Sequence, residues 1–202
     1  GSVALVSDAG TPLISDPGYR LVRFVQERGY AVRPVPGACA AIAALSVSGL
    51  ATDRFMFEGF LPVKPGTRSN RLESLAGETA TLIFYEAPHR VRDCLEAMRN
   101  AFGSERDAVL AREITKTFET VKRGSLAELV GFVGADDNQQ RGEIVILVAG
   151  KRGGEQEMGE RTSALLRRLA QELPAKRAAA IVAEHTGLRK KELYRYLLSL
   201  KV

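Results

Sequence analysis

Along the chain, short wholly apolar runs alternate with longer stretches in which apolar residues recur at helical spacing. Val3-Ala4-Leu5-Val6 is of the first kind and stops at Ser7-Asp8-Ala9-Gly10-Thr11-Pro12, as suits a strand buried on both faces of a parallel sheet. From Tyr19 to Gly29, Leu21, Val22 and Val25 share one helical face, and Gly29 is a natural stop. Ala31 to Val35 reads as the next strand, followed by Pro36-Gly37 and a helix of small residues from Ala38 to Ser48. A strand–helix–strand–helix order predicts an α/β fold.

The middle repeats the alternation less regularly. Strands are expected at Phe55–Phe60, Thr81–Tyr85, Val109–Ala111, Phe118–Val121 and Ile144–Ala149. Helices are expected near Arg71–Leu75, over Pro88–Phe102 through Val91, Leu95 and Met98, and over Ser125–Val133. Residues 151–160, with Gly153, Gly154 and Gly159 among charges, read as a linker. Beyond it lie three helical stretches, Thr162–Leu173, Ala175–His185 and Leu188–Lys201; the last two, joined by Thr186-Gly187, resemble a helix-turn-helix. The expected organisation is an α/β domain over 1–50, a second over 51–150, the linker 151–160 and a helical tail over 161–202. Two strands are too few for a free-standing parallel sheet, so the first domain reads as N-terminally incomplete.

Composition changes this picture in one respect. The whole chain carries a formal charge of +5. Residues 1–160 hold 19 Lys and Arg against 21 Asp and Glu, whereas residues 161–202 hold 10 against 3. A near-neutral body with a basic tail suggests a polyanionic partner held by that tail, the plainer alternative being a solvated helical surface. No apolar run approaches the roughly 20 residues of a membrane span, and no signal-peptide pattern opens the chain. Two cysteines and two histidines are too few for a structural zinc site, and no metal is expected. A reduced, cytoplasmic protein is the simplest reading.

The chemistry then falls to two strand-end loops, Ser7–Pro12 and Pro36–Ala40. Ligands of open α/β sheets collect beyond the carboxyl ends of strands. Gly10 and Gly37 remove side-chain bulk there, and Asp8 and Thr11 offer polar handles for a ribose hydroxyl or an ammonium group. There is no glycine-rich dinucleotide fingerprint, no phosphate-binding P-loop and no nucleophile elbow. On pattern alone, ordinary tight turns remain an equal reading.

The stretch Val6-Ser7-Asp8-Ala9-Gly10-Thr11-Pro12-Leu13-Ile14-Ser15-Asp16-Pro17-Gly18 closely resembles the signature of the ribosomal RNA small-subunit methyltransferase I family, enzymes of the tetrapyrrole-methylase fold. The resemblance continues through Pro34–Ala41, Asp53-Arg54-Phe55, Glu58-Gly59-Phe60-Leu61-Pro62, Phe84–Arg90, Ala111–Lys116 and Arg141-Gly142-Glu143, so it covers essentially the whole chain. It implies two α/β domains, a homodimer and S-adenosylmethionine as methyl donor. The implied substrate is the ribose 2′-hydroxyl of a cytidine in the 16S ribosomal RNA of the small subunit. Carried over by position, Asp8, Gly10, Thr11, Cys39, Ala40, Tyr85, Ala111 and Ala149 would line the cofactor pocket. Family members usually begin with a further N-terminal segment carrying a glycine-rich loop, and nothing in these residues matches it. If that segment is truly absent, part of the cofactor pocket is missing and the polypeptide can be an inactive fragment.

A ribose hydroxyl is a poor nucleophile that a general base can assist, and Glu58, Glu86, Glu113 and Lys116, beside strand ends, are the candidates if there is one. For each of them a cleft ion pair is the plainer role. Arg189, Lys190, Lys191, Arg195 and Lys201, interleaved with Tyr194 and Tyr196, are expected to hold RNA phosphates and an exposed base. Two rivals remain. A tetrapyrrole methyltransferase of the same fold leaves the basic tail unexplained. A non-catalytic nucleic-acid-binding protein leaves the two loops unexplained.

Overall fold

Five strands form one mixed sheet in the order β1-β2-β5-β3-β4. They are β1 (Phe55–Phe60), β2 (Thr81–Glu86), β3 (Asp107–Arg112), β4 (Thr120–Ser125) and β5 (Ile144–Val148). The structure is a computed structural model that describes residues 1–151, 159–188 and 190–200. The chain divides into two units, Gly1–Lys151 and Arg152–Val202. Strands β1 and β2 run parallel, and β5 runs antiparallel to both β2 and β3. The carboxyl ends of β1, β2 and β3 therefore share one edge with the start of β5.

The three inner strands are apolar at almost every position because both sheet faces are covered. Side chains alternate between the faces. Leu82, Phe84, Ala108, Leu110, Ile144, Ile146 and Val148 pack with Val91, Leu95 and Met98 of α4 (Val91–Phe102) and Leu126 and Leu129 of α5 (Leu126–Ala135). Leu72 and Leu75 of α3 (Pro65–Leu75) join the same layer. Ile83, Val109, Ala111, Val145 and Leu147 point the other way, onto Ala41, Ala44 and Leu45 of α2 (Ala40–Ser48). The alanines of α2 let it lie close to the sheet, and its chain leaves through Gly49 at φ 67°. Helix α5 starts at a capping box, Ser125 accepting from the Glu128 amide while Glu128 accepts from the Ser125 amide.

Residues 1–39 depart from expectation. Neither Val3–Val6 nor Ala31–Val35 is a strand; Val3 is 98% exposed and Val35 89%. Among the described residues no strand lies beside either run, and an unpaired segment has no ladder to join. Helix α1 (Tyr19–Glu27) forms as predicted, yet buries none of its residues. The strand expected from Phe118 starts instead at Thr120, leaving Phe118 exposed in a loop.

The second unit is a three-helix cluster. Helices α6 (Glu160–Glu172), α7 (Ala175–Thr186) and α8 (Lys190–Ser199) enclose Leu166, Ala178, Ala179, Val182, Leu188, Leu193 and Leu197. Gly187, at φ 73°, makes the turn between α7 and α8. Tyr196 packs against this core and Tyr194 is exposed. No helix is long and apolar enough to cross a membrane among the described residues.

Candidate active site

The two loops singled out in the sequence meet. Thr11 Oγ1 donates to the Ala38 carbonyl at 2.9 Å, tying the loop after residue 6 to the loop before α2. At the same point the Tyr85 hydroxyl accepts the Ala41 amide at 3.1 Å, which brings the end of β2 to the N-terminus of α2. Cys39 stands at the N-cap in an extended conformation without a side-chain capping bond, its thiol interacting instead with the Tyr85 hydroxyl. The first intrahelical bond runs from the Ala43 amide to the Cys39 carbonyl. The amides of Ala40 and Ile42 have no partner among the described residues. Free amides at a helix start, with the positive end of its dipole, suit an anionic group. Asp8 is exposed and its carboxylate makes no hydrogen bond among the described residues. Burial raises the Tyr85 phenol above its ordinary value, so it stays protonated.

A charged cluster occupies the same edge. Glu113 follows β3 at φ 51°, and Thr115 stands at φ 67°, a costly conformation for a β-branched residue. The strain is held by bonds. The Glu143 amide donates to Glu113 Oε1 at 2.8 Å, the Glu113 amide donates to the Glu143 carbonyl at 2.9 Å, and Thr115 donates to Glu119 at 2.6 Å. Lys116 Nζ lies 2.9 Å from Glu113 Oε1 and 3.2 Å from Glu143 Oε2. The Glu143 amide, with Lys116 second, holds the Glu113 carboxyl below its usual range; Glu113 and then Glu143 hold the Lys116 ammonium above its own. Gly142, at φ 80°, leaves room for this, since a Cβ there would overlap the Glu113 carboxylate. Ile114 packs with the α2 layer, so the loop lies on the Tyr85 side of the sheet.

The other predicted residues fall elsewhere. Glu86 follows the parity of Phe84 and points to the α4 face. There it is 3% exposed, accepts the Ala87 amide at 2.8 Å and lies 3.4 Å from Arg90, near Cys94. Glu58 is held by Arg71 of α3 at 2.6 Å. These two are separated by the sheet from Tyr85. Ala111 is fully buried beneath α2. Ala149 follows β5, which ends beside Leu82 and Ala108, so it lies at the opposite edge from Tyr85 because β5 is antiparallel. Lys190, Lys191 and Arg195 are exposed on α8, whereas Arg189 and Lys201 lie outside the described residues. Sequence reasoning did not single out Glu143, which the structure joins to Glu113 and Lys116. Its signal was the Arg141-Gly142-Glu143 motif, where a glycine beside two charges marks a close approach. Among the described residues no three metal-ligating side chains gather.

The strand-end loops of this α/β sheet thus converge on the start of α2. Residues 1–130 match the family of tetrapyrrole (corrin/porphyrin) methylases. Two solved structures share the fold: the methyltransferase CobJ, with TM-score 0.52 and 21% identity over 70% of this chain and 62% of that one, and cobalt precorrin-4 methyltransferase, with 0.52 and 17% over 69% and 61%.

Within that class the chain belongs to the ribosomal RNA small subunit methyltransferase I family. It is 58% identical over 198 residues to the Pseudomonas aeruginosa member, covering 97% of this chain and 70% of that protein. It is 49% identical over 197 residues to the Escherichia coli O157:H7 member, covering 98% and 69%. Residues 156–201 match the RsmI C-terminal HTH domain.

Proposed function

We propose that this chain carries out S-adenosylmethionine-dependent methylation of the 2′-hydroxyl of a cytidine in the 16S ribosomal RNA of the small subunit. The observation that carries the reading is the junction of Thr11, Ala38, Ala41 and Tyr85. It joins two small-residue loops and a free helix start in one place. These residues fit the cofactor: the Ala40 and Ile42 amides suit its carboxylate, Asp8 suits its ribose hydroxyls or ammonium, and Gly10, Cys39 and Ala40 leave space. When bound, the cofactor supplies an electrophilic methyl group on a sulfonium.

The chain's own contribution is orientation and proton handling. In-line placement of the hydroxyl oxygen supplies most of the rate. Lys116, held as an ammonium by two carboxylates, is not a base in this arrangement; it serves as a positive group for the ribose-phosphate backbone. The hydroxyl proton passes to the Glu113–Glu143 pair, of which Glu143 is the more exposed. The basic face of α8, with Lys190, Lys191 and Arg195, adds affinity for RNA without taking part in chemistry. The active form is a homodimer in the cytoplasm, which light scattering on the purified chain checks as to assembly.

The test is calorimetric titration with S-adenosylmethionine, followed by a methylation assay on small-subunit RNA, with the Pseudomonas aeruginosa relative as positive control. Binding and ribose methylation support the reading. Failure of cofactor binding by this chain beside an active control overturns it.

A further inference from the structure

The Glu58-Gly59-Phe60-Leu61-Pro62 stretch has no role in the reading above, yet it carries an irregularity. In an unbroken strand, residues three apart point to opposite faces. Phe57 pairs with Ile83, but the register shifts before Gly59, and Phe60 pairs with Tyr85. The extra residue, Glu58, turns to Arg71, while both phenylalanines reach the same face. Their rings lie 4.9 Å and 5.8 Å from the ring of Tyr85, each edge to face. Bulges beside functional sites characteristically re-aim a side chain. The approach here is close: Gly59 adopts φ 65°, and a Cβ there would stand 3.2 Å from Ser15 Oγ, in the segment between the Ser7–Pro12 loop and α1.

The bulge thus places a large apolar ring at the edge where the loops converge, and leaves it 55% exposed. Phe57, beneath it, is half-buried and completes the aromatic stack on Tyr85. An exposed aromatic ring at such an edge is a surface on which proteins stack an unpaired base.

Resting on the proposed RNA methylation, we infer that Phe60 is a positioning residue, a stacking platform for an unpaired base of the RNA substrate beside the methylated ribose. A planar base also exists in the cofactor's adenine, and the experiment separates the two.

The chain has no tryptophan, so Phe60→Trp installs a single fluorescent reporter. It is titrated with a single-stranded RNA oligonucleotide containing the target cytidine, in saturating S-adenosylhomocysteine. Quenching by RNA is expected, with RNA affinity near that of the wild type. Phe60→Ala and Phe60→Leu should each weaken RNA binding on the order of 10- to 100-fold, the loss of one stacked base. Their affinity for S-adenosylhomocysteine and their melting temperatures should not change. Full RNA affinity in Phe60→Leu overturns the stacking role, as does an unquenched tryptophan. Lost S-adenosylhomocysteine affinity with RNA affinity intact assigns the ring to the adenine and overturns the RNA-base role. Wild-type RNA binding with an unaffected Phe60→Ala overturns this inference alone; no RNA binding by the wild type overturns the proposed function with it.

Discussion

Val3–Val6 and Ile144–Val148 are nearly the same kind of sequence, yet they meet opposite fates. The first is irregular and exposed, with Val3 and Val6 98% and 81% accessible. The second is the centre of the sheet, every residue buried, paired on one side with β2 and on the other with β3. An apolar run states a tendency to be covered, and only neighbouring strands and helices decide whether it is. Helix α1 teaches the same lesson, because its periodicity suffices for a helix but buries nothing.

The comparison is broken most severely by a charge. Ile146→Asp should abolish the cooperative unfolding transition of the first unit, whereas Val35→Asp should leave its midpoint within about 0.5 kcal/mol. Ile146→Ala should cost about 2–5 kcal/mol by chemical denaturation. A tolerated Ile146→Asp would mean that β5 is not the core strand described.

The two sheet faces give the next contrast. Glu113→Gln should lower kcat on small-subunit RNA by about 10²–10⁴-fold, the range of acid–base groups, without a matching fall in melting temperature, whereas Lys116→Ala should chiefly weaken RNA binding and flatten its salt dependence. Glu86→Gln, on the far face, should do the reverse: a lower melting temperature, because Arg90 loses a buried partner, with kcat changed less than about tenfold. A pattern with Glu86 alone essential to kcat would reverse the assignment of faces.

The cysteines sharpen it further. Cys94 is fully buried on the α4 face, where burial first and the Glu86 charge second push its thiol up, while Cys39 is partly exposed at the start of α2. Iodoacetamide near pH 8 should therefore label Cys39 in the native chain and Cys94 only on unfolding, as read by peptide mass. Saturating S-adenosylhomocysteine should protect Cys39, and equal labelling of both thiols would refute the arrangement.

The smallest effect is a titration. Glu113 is held below the ordinary glutamate value, so its contribution to loop order is complete above about 4.3 and fades as pH falls toward the depressed value. The Glu143 amide resonance should shift in that lower window by NMR, and in Lys116→Ala the midpoint should move back up. A midpoint at the ordinary value in the unmodified chain would remove the cluster from the site.

Much of the first unit was legible in advance. The inner strands and α4 announced themselves because both kinds of burial leave a period in the sequence, two for strands and 3.6 for helices. The Asp8–Thr11 and Cys39–Ala40 loops were legible as punctuation after apolar runs. Glu58 and Glu86 lie near strand ends as the sequence indicated, but the sequence does not show which face a carboxylate takes. For Glu86 the face follows from counting back to buried Phe84, and for Glu58 from a bulge that no local pattern signals. The edge at which Ala149 lies was not legible either, because the direction of β5 is a matter of pairing.

The sequence by itself determined the elements of the middle and the tail, the basic character of residues 161–202 and the family, since these depend on local periodicity, charge and contiguous motifs. Tertiary structure alone decided which apolar runs became strands, which face each carboxylate took, and that Thr11, Ala38, Ala41 and Tyr85 meet. Those outcomes rest on hydrogen bonds and packing between residues far apart in the chain, and their strength depends on a partner that no single segment contains.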